Sequence, residues 1–328
     1  MLSRAIQFAS RNWSIPVEDL ELSIEPIGAG LESRVVRAVL RSPRLHVRHN
    51  SFVVKELRGR QRRETAIYLE RWTRSILPPT VRLLGVEATE HADYLYLEEA
   101  TQQCAWPWKQ TVMSAAVCRT LARMHDSQPC HGQRLAGWDY DGDLLKSADE
   151  TLKVAVDARS TAGVRHWRRI GDLRRVVAAL PKLRSVLLQA PTFIHGDVHP
   201  GNVIVRGGEK VQIAFIDWAR ARIGSPLEDV ASWLHSLGCW EPEARRRHDT
   251  LLRAYLEARS PRQTITTDLR RVYWYACASN GLSGAIRYHL SVLNDPAAAT
   301  KLTSNSALAL REWERVIRRV AAFVATKP

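Results

Sequence analysis

The sequence predicts an α+β protein of two lobes, with a β-rich lobe over residues 1–100 and a mainly helical lobe over residues 101–328. Before residue 100 the apolar residues form short strand-like runs, whereas longer segments with helical periodicity follow. The chain has 328 residues, of which 45% are hydrophobic and 25% are charged, an ordinary composition for a globular protein. This length is enough for one large domain or two coupled lobes.

The first lobe is predicted to contain a small antiparallel sheet and one helix. The Gly28-Ala29-Gly30 segment is predicted to be a turn between the first two strands. The helix extends from Arg62 to Leu77, because Pro78-Pro79 cannot continue it. The predicted strands are Ser23–Ile27, Val35-Val36 with Val39-Leu40, Ser51–Leu57, Val81–Val86 and Tyr94–Leu97.

The second lobe is predicted to be helical around one β-hairpin. The hairpin consists of Val203–Val205, a Gly-Gly turn at Arg206–Glu209, and Val211–Ile216. Further helices follow it to the C-terminus. Three long helices are predicted before it, over Gln110–His125, Leu144–Ala162 and Ile170–Leu188.

The segment Phe193–Val203 carries the strongest chemical signal. It places Asp197 and Asn202 five positions apart, directly before the hairpin, and Asp217 follows the hairpin. Phosphoryl transfer requires an enzyme to orient the acceptor hydroxyl and to hold divalent metal against the phosphates. A carboxylate such as Asp197 can accept the hydroxyl proton, and Asn202 and Asp217 offer oxygen ligands suited to magnesium.

The motif His195-Gly196-Asp197, followed by Asn202 and then Asp217, resembles the aminoglycoside phosphotransferase and choline kinase group of the protein-kinase-like superfamily. The resemblance covers roughly residues 20–235 by motif. It implies a bilobal protein-kinase-like fold, with Asp197 as catalytic base and with Asn202 and Asp217 as ligands of Mg²⁺. It also implies that ATP or GTP lies between the lobes. His195 and His199 are interpreted as turn histidines, with His195 in structural support.

The same resemblance points to nucleotide-binding residues in the first lobe. Gly28 and Gly30, with Ser33 at the third glycine position, would let the backbone approach phosphates. Lys55 would contact the α- and β-phosphates, and Glu64, nine positions later, would pair with Lys55. Taken singly, each feature also fits an ordinary turn, an exposed lysine or a solvated helix glutamate.

Two more assignments follow from the resemblance. The segment Tyr94–Ala100 corresponds to the hinge, where the backbone of Glu98 and Ala100 would bind an adenine edge. Asp229 would anchor the catalytic loop as structural support, the alternative being a plain helix cap.

The acceptor residues are expected on the C-terminal helices. The candidates are Trp240, Glu241, Tyr273 and Asn280, although aromatic residues at such spacing are also common in a core. The net charge of +14 disfavours polycationic aminoglycosides unless the pocket is locally acidic. A macrolide, a nucleoside antibiotic, a sugar or an amino alcohol is at least as compatible with the sequence as an aminoglycoside is. Any of them could serve as the small hydroxyl-bearing acceptor.

Two rival functions are an enzyme that phosphorylates a protein side chain and a non-catalytic nucleotide- or nucleic-acid-binding module. The first is disfavoured because Trp218-Ala219 replaces Phe-Gly after Asp217 and no Ala-Pro-Glu segment follows. The second is disfavoured because Lys55, Asp197, Asn202 and Asp217 are all intact. Scattered arginines and the lack of aromatic-interleaved motifs also argue against a nucleic-acid partner.

Composition sets the remaining expectations. Five widely spaced cysteines without a Cys-x-x-Cys motif indicate reduced thiols rather than disulfides or a zinc site. No run of apolar residues is long enough to span a bilayer, and the first residues lack the apolar core of a signal peptide. We therefore expect a cytoplasmic protein without a membrane partner, present as a monomer or weak homodimer.

Overall fold

The computed structural model describes residues 1–29, 33–42, 51–69, 80–100, 102, 104–127, 138–158, 166–206, 211–260 and 264–325. The chain forms two compact units. The first comprises Met1–Ala105 and Asn202–Ala221, and the second comprises Trp106–Gly201 and Arg222–Pro328. The β-rich first unit and the helical second unit confirm the predicted α+β class.

The units differ from the predicted ranges, because the first unit extends to Ala105 and also contains the segment Asn202–Ala221. Its contacts explain the assignment. The backbone N–H of Val205 donates to the Gln102 side chain, and Phe215 forms a parallel bridge with Thr80. The hairpin therefore packs with the N-terminal residues although it is distant from them in sequence.

The first unit contains a five-stranded antiparallel sheet. In spatial order its strands are β1 (Glu21–Ala29), β2 (Ser33–Arg41), β3 (Ser51–Leu57), β5 (Asp93–Glu98) and β4 (Leu83–Ala88). Helix α1 (Leu2–Trp13), which was not predicted, covers it, and Phe8 stacks on Tyr96 with ring centroids 3.8 Å apart. The remaining elements are α2 Arg63–Leu69 and the paired strands β7 Val203–Arg206 and β8 Gln212–Phe215.

The predicted turn at Gly28-Ala29 is wrong. Both residues lie in β1 and pair with Val35 and Arg34, because antiparallel pairing with β2 continues past a register shift between Pro26 and Gly28. Gly30 lies outside the described residues. So does the part of the predicted helix beyond Leu69.

Eight helices, α3 to α10, and the two-stranded β6–β9 ladder are described in the second unit. Helix α6 begins with a capping box, in which the Ser225 side chain and the Glu228 carboxylate satisfy each other's backbone N–H groups. The elements are α3 Thr111–Ser127, α4 Tyr140–Asp157, α5 Ile170–Leu187, β6 Thr192–Ile194, β9 Arg222–Gly224, α6 Pro226–Trp240, α7 His248–Arg259, α8 Thr267–Asn280, α9 Ile286–Asn294 and α10 Thr300–Ala325.

The cysteines in the described ranges are free thiols, and Cys130 lies outside those ranges. None of the helices seen in the described part of the chain is both long and apolar enough to cross a membrane.

Candidate active site

A buried ion cluster occupies the first unit. Lys55 lies on β3 between β2 and β5, so that sheet neighbours cover it on both sides. Its Nζ lies 2.6 Å from Oε2 of Glu64, in the first turn of α2, and 2.9 Å from Oδ1 of Asp217. The ion pair that the sequence predicts between Lys55 and Glu64 is therefore present, and Asp217 shares the same ammonium group.

A left-handed backbone conformation presents Asp217, whose φ is 65° and ψ is 66°. Aspartate tolerates this region better than most non-glycine residues, at a cost of about 1–3 kcal/mol that the surroundings must offset. The indole of the next residue, Trp218, is buried and donates to Thr80 Oγ1 at 3.0 Å and to the Phe215 carbonyl at 3.2 Å. These bonds hold the turn, and the Asp217 side chain is 41% exposed.

Asn202 is held beside this turn. Its carbonyl oxygen accepts from the backbone N–H of Ile216 at 3.0 Å, and the residue is 7% exposed. Because Ile216 directly precedes Asp217, the two predicted metal ligands are brought together within the first unit. Among the described residues no three His, Cys, Asp or Glu side chains group around a metal position. A pair of protein oxygen ligands nevertheless fits Mg²⁺, which usually retains waters and substrate phosphates.

The cluster has two carboxylates for one ammonium group. Burial alone would lower the pKa of Lys55, but the negative charges of Glu64 and Asp217 outweigh burial and raise it. Burial raises the pKa of Glu64, and repulsion from Asp217 adds to that effect, against the opposing attraction of Lys55. Two carboxylates thus share the Lys55 ammonium group, and one of them, Asp217, is accessible.

The loop that carries Asp197 lies in the second unit, where Asp229 of α6 anchors it. The Asp229 carboxylate accepts from the backbone N–H of His195 at 2.8 Å and of Gly196 at 2.7 Å. Gly196 has a φ of 80°, a conformation that glycine adopts without steric cost. Ser225 caps the N-terminus of α6, so Asp229 is not the helix cap. Its contacts with the loop are those expected from the resemblance.

Two histidines complete the anchor. The fully buried His195 accepts from the backbone N–H of Asp197 through Nδ1 at 3.2 Å, which makes it a structural residue of the loop. His125 at the end of α3 lies with Nε2 3.1 Å from Asp229 and Nδ1 2.9 Å from the Tyr255 hydroxyl. Although burial favours a raised Asp229 pKa, the His125 hydrogen bond and charge lower it. Sequence reasoning missed His125, because a single histidine in an apolar helix carries no distinguishing signal.

The remaining nucleotide candidates lie on the sheet. Gly28 is in β1, and Ser33 begins β2 opposite Leu57. At the end of β5, the Glu98 backbone N–H already donates to the Arg82 carbonyl at 2.9 Å. The Glu98 carboxylate also binds the Arg82 backbone and the Arg206 side chain. Ala100 lies two residues after the end of β5, outside the sheet.

The structure does not bring the four acceptor candidates together. Asn280 donates to the Glu228 carbonyl near the start of α6, whereas Trp240 ends that helix about 18 Å away at 1.5 Å per residue. Trp240 is 62% exposed and stacks on Trp106, whose indole N–H donates to Glu241 at 3.2 Å. Tyr273 is buried.

Similarity to known proteins indicates the family of this chain. Residues 23–275, more than half of the chain, match the model of the phosphotransferase enzyme family, APH. A search of the curated proteins gives no significant match.

Solved structures share the fold at low sequence identity. A choline/ethanolamine kinase family protein from Mesorhizobium loti is 15% identical with a TM-score of 0.62, covering 99% of each chain. Choline kinase from Cryptosporidium parvum is 12% identical with a TM-score of 0.62, covering 98% of this chain and 97% of that one. A thermostable aminoglycoside phosphotransferase APH(4)-Ia mutant, in ternary complex with ADP and hygromycin B, is 14% identical with a TM-score of 0.56, covering 98% and 99%.

These neighbours confirm the predicted kinase-like fold, and the family match confirms the resemblance on which it was based. The chain therefore belongs to the phosphotransferase enzyme family and is an ATP-dependent small-molecule phosphotransferase that acts on a hydroxyl acceptor.

Proposed function

We propose that this protein transfers the γ-phosphoryl group of ATP or GTP to a hydroxyl of an antibiotic or metabolite, with Asp197 as base and Mg²⁺ held by Asn202 and Asp217. The Lys55–Glu64–Asp217 cluster is the observation that carries the proposal. A structural ion pair needs one anion for its cation, whereas this cluster holds a second carboxylate that is half-exposed. An accessible carboxylate beside a buried lysine suits a site that receives a metal–nucleotide complex.

Each residue then has one task. Lys55, oriented by Glu64, contacts the α- and β-phosphates as a buried cation. Asn202 and Asp217 supply oxygen ligands, and bound Mg²⁺ supplies neutralisation of the charge that develops on the phosphates. Lys55 turns from Asp217 to the phosphates at little cost, because Glu64 continues to balance its charge.

Asp197 acts on the acceptor. The hydroxyl proton passes to its carboxylate while the hydroxyl oxygen forms a bond to the γ-phosphorus and the bond to the β-phosphate oxygen breaks, releasing the nucleoside diphosphate. The backbone N–H groups of His195 and Gly196 donate to the Asp229 carboxylate, and the backbone N–H of Asp197 donates to His195 Nδ1, which supports this role. These hydrogen bonds limit motion of the loop, so that the carboxylate does not have to be ordered during each turnover.

Asp197→Asn tests the proposal with Asp157→Asn as the matched control, because Asp157 is an exposed residue at the end of α4. Purified protein is incubated with ATP or GTP, Mg²⁺ and a panel of aminoglycosides, macrolides, nucleoside antibiotics, choline and homoserine. Release of diphosphate and the phosphate mass increment are measured.

We expect Asp197→Asn to lower kcat at least about a hundredfold, the ordinary contribution of a general base, with nucleotide Kd changed less than twofold. The control is expected to retain wild-type turnover. Near-normal turnover of Asp197→Asn on any acceptor that the wild type phosphorylates would exclude Asp197 as the base.

A further inference from the structure

A cavity of about 710 Å³ lies within the second unit, between α6, α8 and α10. We propose that it binds a small organic anion that carries an aromatic ring, at a site separate from the catalytic loop. Its volume is in the range of small-molecule pockets, about 300–1,000 Å³. The residues that carry the argument are Arg318 and Arg319 for the charge, Trp274 and Phe323 for the ring, and His235 for an additional polar contact.

The cavity is distant from the catalytic loop along α6. Asp229, which anchors the loop, is in the first turn of that helix, whereas His235 and Cys239 line the cavity six and ten residues later. At 1.5 Å per residue these positions are about 9 Å and 15 Å further along the axis. On α8, Trp274 lies six residues before Asn280, which binds near the start of α6. The cavity therefore lies towards the ends of α6 and α8 that are opposite Asp229 and Asn280.

The charge of the lining is positive. Glu312 is the carboxylate among the described lining residues, and it is engaged by Arg245 at 3.1 Å and Arg315 at 2.7 Å. Arg318 and Arg319, on the next turn of α10, have no carboxylate partner within the described part of the chain. Both arginines line the cavity and are exposed at its edge, and a phosphate, sulfonate or carboxylate would supply a counterion.

The histidines of the lining do not change this balance near neutral pH. Burial lowers the pKa of His235 to about 3 and also lowers the pKa of His248, so both imidazoles are neutral. Arginine accounts for the excess charge and keeps it throughout the physiological range.

The walls of the cavity are aromatic. The guanidinium carbon of Arg319 lies 4.5 Å from the ring centroid of Trp274, and Phe323 is on the same face of α10, one turn further. His235 stacks on Trp313 with centroids 3.9 Å apart, and its Nε2 is buried without a hydrogen-bond partner among the described residues. The Tyr273 hydroxyl bound to His248 at 2.6 Å stiffens the opposite wall. An aromatic anion matches both the apolar walls and the cationic rim.

The test uses two fluorescent probes with nearly the same rings. 8-Anilinonaphthalene-1-sulfonate carries one negative charge, and N-phenyl-1-naphthylamine lacks the sulfonate. The variants are Arg318→Gln with Arg319→Gln, and Ala322→Trp, which fills the cavity from its lining. Arg311→Gln is the matched control, because Arg311 is an exposed arginine on α10 that does not line the cavity.

We expect the wild type to bind one equivalent of the sulfonate at least about tenfold more tightly than the neutral amine, equivalent to one charge-assisted contact. The double variant should bind the sulfonate about tenfold more weakly and the amine with unchanged affinity, which also shows that the cavity is folded. Ala322→Trp should weaken both, and Arg311→Gln should change neither by more than twofold. Equal affinity of wild type and double variant for the sulfonate, or no preference over the amine, would overturn the proposal.

Discussion

Two buried glutamates, one in each unit, show opposite electrostatic designs. Glu64 and Glu228 are each 1% exposed. Glu228 accepts from Arg184 at 2.8 Å, from Arg222 at 3.0 Å and from Ser279 at 3.2 Å. Glu64 has one cation among the described residues, Lys55, and shares it with Asp217.

The pKa values record this difference. Burial would raise the pKa of Glu228, but Arg222 and Arg184 outweigh it and the pKa is lowered. Burial raises the pKa of Glu64, and the single shared lysine does not reverse the shift. Arg184 also pairs with Asp141 at 2.8 Å, so the network around Glu228 contains two guanidinium groups and two carboxylates, whereas Glu64 and Asp217 share the Lys55 ammonium group. The same residue type at the same burial thus has its pKa lowered in one unit and raised in the other.

The largest expected effect is the decrease in the free energy of unfolding when the network of Glu228, Arg184 and Arg222 is broken. Glu228→Gln leaves the charges of Arg184 and Arg222 buried with less compensation, and we expect the free energy of unfolding to fall by about 3–5 kcal/mol. The matched change Glu64→Gln should cost no more than about 1 kcal/mol, because Lys55 retains Asp217. Urea unfolding of both variants measures this difference. Equal destabilisation would remove the distinction between the two clusters.

Loss of the exposed carboxylate should affect binding instead of stability. Asp217→Asn keeps a side chain that tolerates the left-handed conformation but lacks the charge. We expect the Kd for Mg·ATP to rise at least about tenfold, equivalent to about 1.4 kcal/mol, with the free energy of unfolding changed by less than about 0.5 kcal/mol. Calorimetric titration measures the Kd. Asp197→Asn is the control with unchanged Kd, and unaltered binding by Asp217→Asn would contradict its role as metal ligand.

The contributions of Glu64 and Glu228 to the free energy of unfolding should change with pH in opposite directions. A raised pKa in the folded state means that Glu64 costs stability as pH rises above its ordinary value of 4.5. The stability of the nucleotide-free wild type relative to Glu64→Gln should therefore decrease between pH 4.5 and the higher pKa of the folded state. Glu228, with a lowered pKa, should contribute stability above pH 4.5 that is lost as pH falls through its folded value. Unfolding curves at a series of pH values test both signs, and a wild type that gains stability over Glu64→Gln with rising pH would contradict the first.

A further expected effect on stability concerns the turn that presents Asp217. Trp218→Phe removes the indole N–H that donates to Thr80 and Phe215. We expect a loss of about 1–2 kcal/mol in the free energy of unfolding, from the hydrogen bonds and a small void. Trp240→Phe is the matched control at a 62% exposed tryptophan and should change stability by less than about 0.5 kcal/mol. Equal melting temperatures for the two variants would show that the indole contacts do not hold the turn.

Sequence reasoning correctly predicted the ion pair between Lys55 and Glu64, which are nine positions apart on adjoining elements, so that backbone geometry limits where they lie. The roles of Asp197 and Asn202 stay predictions. Sequence reasoning failed at Gly28-Ala29, where strand pairing continued through residues typical of a turn. It also missed α1, because the first residues were considered only as a signal peptide.

The sequence by itself determined the class of protein, the family and the residues on which the proposed chemistry depends, since periodicity and motif spacing are local properties of the chain. Only the tertiary structure decided which buried charges meet: Glu228 with Arg184 across 44 positions, and Asp229 with His125 across 104. The capping box identifies Glu228 as a helix-start residue, but it does not indicate the charged partners of either glutamate. Their partners come from distant elements, and the number and sign of those partners decide whether a buried carboxylate is balanced or left in excess.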